Sequence, residues 1–103
     1  MFEDLVKTLE MHNYGVRAYE QVAQLCYKSV AEQPEYAVHF LVLSVFAERF
    51  VSRYDEYPLT VDEANREKKR ILRWIEKMES SLKKSQEGQI ELLNCVSRDF
   101  LYI

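Results

Sequence analysis

The sequence predicts an all-α fold: an antiparallel helical bundle of three long helices plus a short C-terminal helix, in one domain covering residues 1–103. Three observations carry this expectation. Apolar residues recur at steps of three and four along most of the chain, the spacing of a helix face. Two Gly and two Pro in 103 residues suit long helices with short connections. Hydrophobic residues at 48% and charged residues at 30% are ordinary for a globular domain of this size.

The first helix is expected over residues 2–31. Phe2, Leu5, Leu9, His12, Val16, Tyr19, Ala23, Cys26 and Val30 form a seam with no phase slip, the pattern of helices packed side by side. Its weak point is the run Met11, His12, Asn13, Tyr14, Gly15, since Gly costs roughly 1 kcal/mol in a helix interior. Because the register survives this run, one long helix bent near Gly15 is favoured over two helices.

The second helix is expected over residues 34–54. Pro34 suits its first position, where a missing N–H has no partner to lose. Tyr36, Phe40, Leu43, Ala47, Phe50 and Tyr54 line one side, and Val38, Leu41, Val42, Val45 and Phe46 line the other. A helix apolar all round is normally buried all round. Either the remaining helices enclose it or a second copy covers part of it. The N-terminal seam, the third helix and the C-terminal end offer nearly enough cover for a monomer. Val38, Val42, Val45 and Phe46 are therefore the candidate interface of a homodimer, and Phe46→Glu is expected to give monomers or unfolded protein.

Residues 55–58 read as a connection, since the residue before Pro58 is pushed out of helical geometry. Thr60, Val61, Asp62 and Glu63 make a capping box: the Thr60 hydroxyl accepts from the Glu63 N–H, and the Glu63 carboxylate reaches back. The third helix follows over residues 61–84, with Ala64, Ile71, Ile75, Met78 and Leu82 inward and Leu72 and Trp74 at the borders. Residues 85–88 end it. A short helix over residues 89–97 turns Ile90, Leu93 and Val96 inward, and Phe100, Leu101, Tyr102 and Ile103 are apolar enough to pack on the bundle or on a partner.

Charge is unevenly spread. The net charge of −3 divides into −6 over residues 1–63, +5 over 64–84 and −2 over 85–103. Arg66, Arg70, Arg73, Lys77 and Lys84 fall within a narrow arc of the third helix, opposite its apolar stripe. That row is the second candidate surface, a dock for an acidic protein. Nucleic acid is disfavoured, because a dedicated binder is more basic overall and carries a recognisable motif. A plain solvated face, helped by pairs such as Asp62–Arg66 and Arg73–Glu76, is the competing explanation.

Chemistry-bearing patterns are sparse. Glu35 and His39 stand at i, i+4, but no further ligand converges by spacing, and no metal or cofactor is expected. His12 fits a hydrogen-bonded seam histidine. Cys26 and Cys95 make no C-x-x-C pair and sit where Cys behaves as a small hydrophobe, so a reducing cytoplasm is the expected compartment. The N-terminus lacks the basic region and apolar run of a signal peptide. The longest uncharged apolar run, residues 36–47, falls short of the roughly 20 needed to cross a bilayer.

No Gly-rich phosphate loop or nucleophile elbow is present. Glu48 and Arg49 are the charges inside the apolar second helix. They mark either a buried polar or small-ligand site in the bundle or the point where the helix emerges into solvent. Tyr54, Tyr57 and Tyr102 lie near ends and loops, where an aromatic body with a polar tip suits an interface. The expected function is a non-enzymatic protein–protein interaction module, self-associating through the second helix. Docking of an acidic protein on the basic row is the alternative, and a site around Glu48 and Arg49 is the third.

Overall fold

The computed structural model describes residues 2–99. Among them the chain forms five α-helices and no strand: α1 (Glu3–Met11), α2 (Val16–Glu32), α3 (Ala37–Tyr54), α4 (Val61–Ser81) and α5 (Gln86–Asp99), with a 3-10 turn at Pro34–Tyr36. The all-α bundle is as expected. The expected packing of Phe100, Leu101, Tyr102 and Ile103 lies outside the described residues.

The expected single helix over residues 2–31 is instead two. Asn13 and Tyr14 adopt left-handed backbone angles, with φ of 53° and 55°. The Tyr14 N–H donates to the Leu9 carbonyl at 2.8 Å and the Gly15 N–H to the His12 carbonyl at 3.2 Å, closing a tight turn. Gly15 itself is extended, with φ −85° and ψ −178°. The reversal therefore falls on Asn13, which tolerates the left-handed region, and on Tyr14, which adopts it at some cost. The seam misled because His12 and Val16 are four apart whether the helix continues or folds back. Lys68 sits over the Tyr14 ring at 4.6 Å, tying this turn to α4.

Pairwise contacts set the direction of each helix. Phe2, just before α1, stacks on Phe40 at 5.1 Å. Tyr19, early in α2, stacks on Phe50 at 3.7 Å. So α1 starts beside the first half of α3, and α2 starts beside its second half and runs back. Phe46 meets Trp74 edge-on at 4.7 Å, and His39 lies against Ser81, so α4 runs antiparallel to α3. The first four helices thus alternate in direction around an aromatic core of Phe2, Tyr19, Phe40, Phe46, Phe50 and Trp74, all buried.

Thr60 caps α4 as its sequence requires. The Glu63 N–H donates to the Thr60 hydroxyl at 3.1 Å, and that hydroxyl donates to the Glu63 carboxylate at 2.9 Å. These contacts, with a further one from Tyr54, hold the Glu63 carboxyl below the usual carboxylate range. After residues 82–85 the chain turns back, and α5 lies along α4 with Val96 buried. It is longer than the helix expected over residues 89–97, and Ile90, expected inward, is exposed because that side of α5 faces away from α4.

His39 is buried beside α4. The Ser81 hydroxyl donates to the Met78 carbonyl at 2.7 Å, so toward His39 Nε2, 3.4 Å away, it serves as acceptor. Burial disfavours the imidazolium and lowers the folded-state pKa below 6.5. Above the unfolded-state value both states are neutral, and His39 leaves stability at its full level. As pH falls below it, the unfolded chain binds a proton that the folded chain refuses, so stability drops until the folded pKa is passed. The urea midpoint should therefore fall between about pH 7 and pH 5, and His39→Gln should flatten that fall. Identical pH slopes in the two proteins would contradict it.

Candidate functional site

The outer face of α3 bears on the two ways expected for covering this helix. α3 is not enclosed. Its broad inner face buries His39, Phe40, Leu43, Ser44, Phe46, Ala47, Phe50 and Tyr54. Its outer face leaves Val38 at 55%, Leu41 at 49% and Val45 at 36% exposure, with half-buried Val42 beside them. Val38, Leu41 and Val45 stand at i, i+3 and i+7, so they form one continuous apolar stripe.

Phe46 is not part of that stripe. It was expected with Val38, Val42 and Val45, but it is 1% exposed and turned inward onto Trp74 and Tyr19. An α-helix advances 100° per residue, so Phe46 points well away from Val45 and toward α4. Leu41 takes its place on the outer face.

Glu48 and Arg49 both lie in solvent at the end of the stripe. Glu48 accepts a hydrogen bond from the Tyr27 hydroxyl of α2, which raises the Tyr27 pKa. A shallow groove of about 310 Å³ runs beside Glu48 between α2 and α3, with Glu20, Tyr27 and Val51 in its walls. Arg49 does not line it. The two charges are therefore not brought together in a buried site.

The expected basic row splits into two unlike parts, and Lys84 lies beyond α4, which ends at Ser81 rather than at residue 84. Arg70, at 25% side-chain exposure, donates from Nη1 to both carboxylate oxygens of Glu67 at 3.2 Å, and Arg66 Nε approaches Glu67 at 3.7 Å. Glu67 is 2% exposed. It was missed in the sequence although the register marks it, three residues after Ala64 and four before Ile71. Its charge alone kept it off the apolar stripe. Nearby, the Tyr19 hydroxyl is buried with no hydrogen-bond partner among the described residues. Burial first, and then the Glu67 carboxylate, raise its pKa.

The remaining cations are differently placed. Arg73, Lys77 and Lys84 line a groove of about 360 Å³ between α4 and α5, with Glu76, Ser80 and Leu92. No ion pair to any of these three occurs among the described residues. The expected pairs Asp62–Arg66 and Arg73–Glu76 do not form. Lys69, Arg73 and Lys77 succeed one another at i, i+4, and each such like-charge pair costs about 0.2–0.5 kcal/mol. Trp74, expected at the margin of the row, is 1% exposed and offers no stacking surface.

Other candidate chemistry stays dispersed. Cys26 is buried, its thiol pushed up to about 12 by burial, and Cys95 is exposed on α5. Among the described residues no three His, Cys, Asp or Glu side chains converge as a metal site, and no helix is long and apolar enough to cross a membrane. Of the tyrosines placed near ends, Tyr54 is buried and Tyr57 is exposed, while Tyr102 lies outside the described residues. Comparison with protein-family models, curated proteins and solved structures finds no match.

Proposed function

We propose that this chain is a small non-enzymatic protein–protein interaction module that self-associates through the outer face of α3. The supporting observation is the exposed stripe Val38, Leu41 and Val45, with Val42 beside it. Folding has already covered the other faces of this helix, and no described element lies over this one. Complete burial of a Val or Leu side chain contributes roughly 1.5–3 kcal/mol. A two-fold dimer makes every contact twice, so even partial gains from four residues accumulate against the association entropy. An antiparallel crossing near Val42 sets Leu41 of one copy against Val45 of the other. Glu48 and Arg49 then fall on the polar rim. Two free cysteines, one of them exposed, suit a reducing compartment such as the cytoplasm.

The test is a pair of charges placed on the stripe. Leu41→Glu with Val45→Glu should convert a dimer to a monomer by light scattering, with the helical circular dichroism unchanged, because neither side chain is part of the core. A double variant that keeps the wild-type mass would rule out this face.

A further inference from the structure

We propose that the groove between α4 and α5 binds an acidic peptide segment of a partner protein. Arg73, Lys77 and Lys84 would take its carboxylates, and Leu92 would meet an apolar side chain. The groove shares no residue with the stripe on α3, so this site is independent of self-association.

Several cations elsewhere on the molecule have local company. Arg66 and Arg70 flank Glu67, Lys28 reaches Glu32 at 3.9 Å, and Lys68 lies on Tyr14. In the groove, three cations face one carboxylate, Glu76, and make no ion pair among the described residues. For Lys77, sequence spacing explains why. The residues three and four before or after Lys77 are Trp74, Arg73, Ser80 and Ser81, none of them acidic. An anion from outside would relieve the unfavourable Arg73–Lys77 pair.

The dimensions favour a peptide. Arg73 and Ser81, both lining the groove within α4, are about 12 Å apart along the axis at helical rise, a span that about four extended residues cover, and Lys84 lies beyond the helix end. The cavity volume falls within the range of small binding clefts. A peptide mixing acidic and apolar side chains matches both the cations and Leu92. Nucleic acid fits less well, since the groove offers no aromatic ring for base stacking. Glu76 and a net charge of −3 also oppose a continuous run of phosphates. Because the groove has one wall on each helix, its occupant also fastens α5, which fully buries only Val96 among its described side chains.

The experiment measures fluorescence anisotropy of a labelled peptide of alternating Glu and Leu against the full chain. Saturable, salt-sensitive binding is expected. Lys77→Glu with Lys84→Glu should weaken it at least about tenfold. Lys7→Glu with Arg17→Glu, exposed positions on α1 and α2 with the same charge change, should leave it nearly intact. Hydrogen exchange of the wild-type chain should show slower amides in α5 with peptide bound, a readout that requires no variant. Absence of saturable binding would overturn the proposal, as would equal losses in both double reversals or unchanged exchange in α5. Tighter binding of single-stranded RNA than of the peptide would overturn it in favour of nucleic acid.

Discussion

Phe46→Ala is expected to lower the free energy of unfolding by about 3–5 kcal/mol. The Phe46 ring sits where α2, α3 and α4 meet, 4.7 Å from the Trp74 ring and 6.2 Å from that of Tyr19. Truncation removes its transfer energy and two edge-to-face contacts, and it leaves a void walled by rigid rings that cannot collapse into it. Domains of this size typically have about 5–15 kcal/mol of stability in total, so the loss is a large share. Phe46→Glu goes further, placing a charge in the same apolar site without a partner. It should yield unfolded protein rather than a folded monomer. Urea unfolding measures the alanine effect directly, and a loss under about 1 kcal/mol would remove Phe46 from the centre of the core.

The second large effect is an asymmetry at the buried carboxylate. Arg70→Ala strips Glu67 of its two 3.2 Å contacts while leaving the carboxylate buried, with only Arg66 at 3.7 Å. Removing one partner of a buried pair commonly costs 3–5 kcal/mol. Arg70 is partly exposed, so water offsets some of the loss and about 2–4 kcal/mol is expected. Glu67→Met removes the charge itself and fills the space with a side chain of similar volume. It should be near neutral or stabilising, because the desolvation penalty disappears together with the pair. Chemical denaturation of the two variants gives the comparison. An Arg70→Ala loss smaller than that of Glu67→Met would contradict the burial assigned to Glu67.

The fold class was legible because helical periodicity runs through nearly the whole chain. The start of α4 was legible to the residue because Thr60 and Glu63 encode a cap. The α1–α2 turn was not, because its four-residue spacing preserves the seam and its left-handed residues are Asn13 and Tyr14 rather than a glycine. On α3, apolar residues on every side announced a surplus of hydrophobic surface. Periodicity could not say which residues the neighbouring helices would take. Phe46 went to the core against Trp74, and Leu41 stayed outside. The groove on α4 depends on α5 folding back, which no local pattern encodes. Glu67 was hidden by its own chemistry, a carboxylate at an apolar register position that Arg70 makes tolerable.

Self-association through α3 is tested most directly by sedimentation velocity of the unmodified chain across a wide concentration range. The weight-average mass should rise from 12.3 kDa at high dilution toward twice that value. The same series with Leu41→Glu and Val45→Glu should stay at the monomer mass throughout. A wild-type mass fixed at 12.3 kDa at every concentration would contradict the dimer and leave the stripe without the partner proposed for it.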